Sequence, residues 1–317
     1  MKRLRLGMNE VHNIAIDAHE RYIYCCGRGI RIFDAHSFQY VQEIPDLGYA
    51  LICTSPNGRY LGGVHASDNS ESFDAIVWDV EAGHTEVCRV RITEACSTLF
   101  PVFSMDGEYM YFQAGFPISK LYSLSTRTGK LECVFCCKDG MSIRSLSAGA
   151  AGVIMVVQGE DTPASIEYIP VGVKNRCVQT ILDFRFVASA QIDKIYASWL
   201  NDENIIIVYH MGRFRTGISV ISLSQLHKKS EYSILVEKMF PFMTIANPQC
   251  SNDHTFVAFR TFTPTVKPYC ARVFDVLNWS ERLCYSSNRL QGCMFYGNDY
   301  MILNADELIM ESIANDK

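Results

Sequence analysis

Thiols and imidazoles are the side chains best suited to chemistry near neutral pH, and this chain carries 13 cysteines and 8 histidines. Cys133-Val134-Phe135-Cys136-Cys137 contains the C-x-x-C spacing used by zinc knuckles and redox dithiols. No second C-x-x-C exists to complete a tetrahedron. The segment alternates as a strand, which places Cys133 and Cys137 on one face and Cys136 on the other. Cys25-Cys26 lies in the apolar run IYCCG, and further cysteines lie in ALICTS and LQGCMFY, where a free thiol packs as a small hydrophobe. The expectation is structural, reduced cysteines and a cytoplasmic protein, not a disulfide framework. His65, His84, His210, His227 and His254 fall between apolar runs, in expected solvated loops, and no Ser–His–Asp grouping is spelled out. Gly-x-x-x-x-Gly-Lys-Ser/Thr, Gly-x-Gly-x-x-Gly and Gly-x-Ser-x-Gly are absent. No catalytic residue, no cofactor and no metal is expected.

The bulk properties agree. A chain of 317 residues with 48% hydrophobic and 20% charged residues is globular, which excludes disorder, collagen and coiled coil. A net charge of −5 argues against a general nucleic-acid binder. No stretch reaches the length of apolar residues that a membrane span needs. The start MKRLRLGMNEVHN is basic but has no apolar core behind it, so export is not expected.

The elements that would position any site come from internal repetition. An order of apolar strand, polar turn, aromatic-led strand, short loop, alternating strand, turn and final strand begins at Ile14. It recurs from Leu51, Leu99, Ile143, Ile195, Ala246 and Met294. The residue opening the second strand falls at Tyr22, Tyr60, Tyr109, Val153, Ile205, Phe256 and Tyr300, a period of about 46 residues, the size of a four-stranded propeller blade. Pro56-Asn57-Gly58, Met105-Asp106-Gly107, Asn201-Asp202 and Asn252-Asp253 supply the turns between strands. The seventh copy lacks an outer strand, and the alternating segment Lys2 to Leu6 has no partner of its own, so pairing these two would remove both exposed edges. The fold expected is all-β: a seven-bladed β-propeller of four-stranded antiparallel blades in a single domain. The blades run approximately 7–45, 46–91, 92–138, 139–184, 185–239, 240–287 and 288–317, the last completed by 1–6. A pair of β-sandwiches or a β-helix is the alternative.

Phe33-Asp34, Trp78-Asp79 and Phe274-Asp275 end the third strands, and this pairing resembles the Trp-Asp dipeptide of WD-repeat propellers. The turns SPNGRYL and SMDGEYM are similar to that family's second signature. The family's Gly-His pair before the first strand is missing from every copy, which leaves its His–Asp side-chain network incomplete. The resemblance implies a scaffold that binds other proteins through its loop faces. A propeller enzyme would gather ligands on its innermost strands, here approximately 12–17, 49–54, 98–104, 143–148, 195–200, 244–250 and 290–296. Those strands are rich in Ile, Ala, Ser, Thr, Phe and Cys, with only Asp17, Glu94 and His12 nearby. A small-molecule-binding or hydrolytic propeller using the central channel is thus the second reading, and a structural subunit of a larger assembly the third.

In that family the loops joining strands two and three share a face with the blade-joining segments. Three such loops are long: His65–Asp74, Tyr209–Gly217 and Arg260–Ala271. The first is acidic and Ser-rich. The other two carry Arg213, Phe214, Arg215, Arg260, Phe262, Lys267 and Tyr269 on neighbouring blades, and the joining segments add Arg185, Phe186, Phe240 and Phe242. Residues 1–184 hold 16 Lys+Arg against 21 Asp+Glu, whereas 185–317 hold 13 against 13. Arg and aromatic residues favour binding hot spots, and Arg pairs carboxylates in a fork. The expected partner is therefore a protein or peptide with an acidic or aromatic-bearing segment, docked on a monomer or on one subunit of a complex. Nucleic acid, which draws on more Lys and Arg, is the weaker reading. Phe240 and Phe242 fit inter-blade core equally well.

Overall fold

The repeats fold as antiparallel meanders because their turns are written in side chains as well as backbone. Ser55 Oγ donates to Asn57 Oδ1 at 2.7 Å and accepts the Tyr60 N–H at 2.8 Å, while Asn57 Oδ1 accepts the Arg59 N–H at 3.1 Å. Ser104 stands in the same relation to Asp106 and the Tyr109 N–H (2.5 and 3.0 Å), and Ser251 to Asp253 and the Phe256 N–H (2.7 and 2.9 Å). The fourth residue of each turn is left-handed: Gly58 (φ 68°), Gly107 (φ 73°) and His254 (φ 60°). Glycine is the ready residue there, and His254 shows the turn chemistry holding a side chain in the same conformation. Third strands end on an aspartate whose Oδ1 accepts a backbone N–H of the next turn: Asp34 from Ser37 (2.7 Å), Asp79 from Ala82 (3.0 Å) and Asp275 from Leu277 (2.9 Å).

The structure is a computed structural model that describes residues 2–4, 11–45, 47, 50–66, 72–94, 101–115, 118–159, 164–170, 179–183, 192–211, 215–222, 234–244, 248–264, 267–304 and 307–313. Its strands form seven antiparallel sheets, and the chain falls into two compact units. One unit, Met8–Thr162 with Tyr168–Gln179, holds three sheets. These are β2(Asn13–Ile16)-β3(Tyr22–Cys26)-β4(Ile30–Asp34)-β5(Tyr40–Ile44), β6(Ala50–Thr54)-β7(Tyr60–Ala66)-β8(Phe73–Asp79)-β9(Thr85–Ile92) and β10(Val102–Phe103)-β11(Tyr109–Ala114)-β12(Lys120–Ser125)-β13(Leu131–Cys136). Apolar layers fill the spaces between neighbours, Tyr24 and Ile32 against Ile52 and Trp78, then Phe73 and Val77 against Phe103 and Phe112. A fourth sheet runs β14(Met141–Gly149)-β15(Gly152–Gly159)-β16(Ser165–Pro170)-β17(Gln179–Asp183).

The other unit, Met1–Gly7, Pro163–Glu167 and Thr180–Lys317, holds the last three. The fifth sheet is β18(Ile192–Trp199)-β19(Asn204–Met211)-β20(Thr216–Ser222)-β21(Ile234–Phe240). In the sixth, β24(Phe256–Phe262), β25(Tyr269–Asp275) and β26(Glu281–Ser287) follow an innermost strand that is broken into β22(Met243–Thr244) and β23(Gln249–Cys250). One unbroken strand over 244–250 was the expectation; Pro248, with no N–H to give the ladder, sits in the break. The seventh is β27(Gly292–Tyr296)-β28(Tyr300–Asn304)-β29(Leu308–Ser312), with β1(Lys2–Leu4) paired antiparallel to β29 through Lys2↔Met310 and Leu4↔Leu308.

Two readings of chemistry-bearing residues are corrected. A bulge in the β12–β13 ladder sets Cys133 opposite Tyr122 and Cys136 opposite Lys120, so these two thiols share a face, exposed on the outermost strand. His84 and His210 are buried, at 8% and 2% exposure, and His65 lies within β7, not in a loop. Burial lowers the pKa of His84, whose ring meets the Tyr24 hydroxyl at 3.2 Å and the Gln42 amide nitrogen at 2.6 Å. His227 lies outside the described residues.

Candidate partner-binding site

The fifth and sixth sheets are joined by aromatic packing. Phe240, Phe242 and Phe274 cluster with ring centroids 4.9–6.1 Å apart, and this cluster continues into Ile218, Val220 and Phe259. Phe240 and Phe242 are therefore inter-sheet core. Arg272 lays its guanidinium over the Phe242 ring at 5.1 Å and pairs with Glu281 at 2.5 Å. Thr216 Oγ1 donates to the Phe242 carbonyl at 2.5 Å, and the next residue, Met243, pairs with Phe262. The start of β20 and the end of β24 thus converge on one short segment, Phe242–Thr244.

The long loops are shorter than their sequence limits. β19 continues to Met211 and β20 begins at Thr216, so the connection is 212–215. Tyr209 is buried, and Gly217 is required beneath it, because a Cβ there would run into the Tyr209 ring. Likewise β24 runs to Phe262 and β25 starts at Tyr269, leaving 263–268 as the connection; the remaining long loop shrinks to 67–72. Arg260 is consequently a strand residue, paired with Ala271.

At this end of the two sheets Arg215 is exposed, immediately before β20, and Lys267 is exposed in the 263–268 connection. Phe262 and Tyr269, a cross-strand pair, meet edge to face at 5.7 Å. The Arg260 guanidinium lies 5.9 Å from the Tyr269 ring centroid. Burial lowers the pKa of Arg260; Cys293, on the adjacent β27, is raised to about 12 by burial, with Arg260 acting in the opposite sense. Arg185, Arg213 and Phe214 lie outside the described residues, as does Phe186.

The residues near the innermost strands are committed elsewhere. Asp17, 1% exposed, is held by Arg21 at 2.7 Å, and Glu94 by Lys120 at 2.7 Å and the Tyr122 hydroxyl at 3.0 Å. Among the described residues no group of three or more His, Cys, Asp or Glu could hold a metal ion.

These observations define the fold: a seven-bladed, all-β propeller. Among solved structures, the β-propeller domain of Cps50 (Swd1) from Myceliophteria thermophila matches with a TM-score of 0.70 at 10% identity, covering 99% of this chain and 99% of that one. The WD40 repeats of RRP9 match at a TM-score of 0.65 and 12% identity over 96% of this chain and 89% of that one. U3-55K matches at 0.63 and 13% over 96% and 90%. No protein-family model matches the sequence, and no curated protein matches it. The Ser–Asx turns and terminal aspartates carry the fold with little of the repeat signature left.

Proposed function

We propose that this chain is a non-catalytic interaction scaffold of the cytoplasm, docking a protein or peptide partner on the loop end of its fifth and sixth sheets. The observation that supports the reading is that the start of β20, next to Arg215, and the end of β24, which carries Arg260 and Phe262, both reach the Phe242–Thr244 segment, with Arg260 and Phe262 each against the Tyr269 ring. Arg213, Phe214 and Arg185 belong to the same proposal by their positions in the sequence. Aromatic and Arg side chains anchor interfaces because each brings contact area and directional polar atoms together. The WD40-type fold supports the reading, since proteins of that class serve widely as interaction platforms; fold alone does not fix a partner. The free state of all described cysteines is compatible with a reducing compartment.

Affinity capture with mass spectrometry tests this, comparing the intact chain with R213A/R215A/R260A. At least one specific partner should be lost from the variant, corresponding to about 2 kcal/mol or more if one arginine is a hot spot. An unchanged set of partners from a folded variant refutes the proposed face.

A further inference from the structure

Arg260 differs from every other half-buried arginine among the described residues. Arg21, Arg31, Arg272 and Arg282 each lie within 3.2 Å of a carboxylate. The Arg260 guanidinium makes no ion pair and no hydrogen bond to any described residue, and its Nε is buried without a partner. What surrounds it is apolar or weakly polar: the Tyr269 ring, Phe262 beyond it, and Ala258 and Ala271 on its own sheet, packed against Cys293 of the seventh.

A guanidinium stays charged in any protein environment, so partial withdrawal from water without a counter-ion is unfavourable. An apolar side chain of similar length would fill the place at least as well. The hairpin that carries Arg260 and the β19–β20 segment of the fifth sheet supply no counter-charge either. Residues 254–274 contain Arg260, Lys267 and Arg272 and no Asp or Glu; residues 204–230 contain Arg213, Arg215, Lys228 and Lys229 and again none. At the place where β20 starts and β24 ends, these segments bring Arg215, Arg260 and Lys267 and no carboxylate.

We propose that Arg260 is the receptor for one carboxylate of an acidic peptide segment, with a neighbouring apolar side chain of that segment lying against Phe262 and Tyr269. The planar fork of the guanidinium matches a carboxylate in two parallel hydrogen bonds. One half-buried cation suits a singly charged group, whereas a phosphate dianion calls on several. Arg215 and Lys267, being exposed, steer the approach of an acidic segment and leave the anchoring to Arg260. This inference rests on the reading of the fifth and sixth sheets as the docking face.

The test uses the full chain and a fluorescein-labelled peptide, Gly-Phe-Glu-Phe-Glu-Gly, against its Gln counterpart, read by fluorescence anisotropy. The Glu peptide should bind at least about tenfold tighter than the Gln peptide. R260M should erase that preference while its melting temperature stays equal to or above the parent's, and R260K should restore only part of the preference. Absence of saturable binding up to millimolar Glu peptide, equal affinity for the two peptides, or a preference that survives R260M overturns the assignment. So does a melting temperature several degrees lower in R260M, because that would show the guanidinium paired within the chain. Should R213A/R215A abolish partner capture while R260M keeps both capture and the Glu preference, the docking face stands and the Arg260 assignment falls.

Discussion

His84 is held in the turn after β8 in a left-handed conformation (φ 64°), reaching from the second sheet to the first. A glutamine amide nitrogen can only donate, so Nδ1 accepts from Gln42 and Nε2–H donates to the Tyr24 hydroxyl; the ring is neutral. Truncation to Ala strands the hydroxyl of a fully buried Tyr24, worth about 1–3 kcal/mol. It also removes two edge-on ring contacts, to Tyr22 at 5.3 Å and Tyr24 at 5.7 Å, each worth about 0.5–1.5 kcal/mol. The expected loss is about 3 kcal/mol, a fall of about 1 M in the urea midpoint for a slope near 3 kcal/mol/M. H84G should recover about 1 kcal/mol relative to H84A, because glycine occupies positive φ without strain. The pH dependence has a definite sign. Burial depresses the pKa of His84 in the folded chain, so its contribution is complete above the unfolded value of about 6.5 and is lost as pH falls below it toward the folded value. Urea unfolding at pH 7.5 and 5.5, followed by circular dichroism, should show the parent losing more stability on acidification than H84Q. Equal losses in the two proteins, or an H84A penalty below about 0.5 kcal/mol, would refute the buried neutral bridge.

Native thiol labelling should reach Cys133, Cys136 and Cys284, which are exposed, and spare Cys26, Cys250 and Cys293, whose pKa values burial raises to about 11, 12 and 12; peptide mass mapping with iodoacetamide reads this directly. G58A should destabilise by about 2 kcal/mol or more, since φ is 68° and a Cβ would strike the His19 ring. G58A/H19A should recover the steric part alone, measured by thermal melting. Deleting Met1 to Leu6 should uncover the β29 edge at Leu308, Ile309 and Met310, with loss of several kcal/mol and aggregation seen by light scattering.

The seven second-strand residues that mark the sequence period stand at the first or second position of β3, β7, β11, β15, β19, β24 and β28. That much was legible because strand alternation and turn chemistry are local. The terminal aspartates were legible for the same reason, each bonding within three residues of itself. What the sequence did not show depends on contacts far apart in the chain. His84 meets Tyr24, 60 positions away. The common face of Cys133 and Cys136 follows from one bulge that periodicity does not encode. Arg260 reads as a loop residue at the start of Arg260–Ala271, yet β24 extends to Phe262 through its pairing with Tyr269. Its lack of a counter-ion is a property of three dimensions only.

Hydrogen exchange on the full chain, alone and saturated with its captured partner, measures the docking face without assuming a ligand. The account predicts new amide protection concentrated in residues 212–215 and 260–269, with exchange in β5 (Tyr40–Ile44) and β9 (Thr85–Ile92) unchanged. Protection on those outer strands, with none at 212–215 or 260–269, would contradict it.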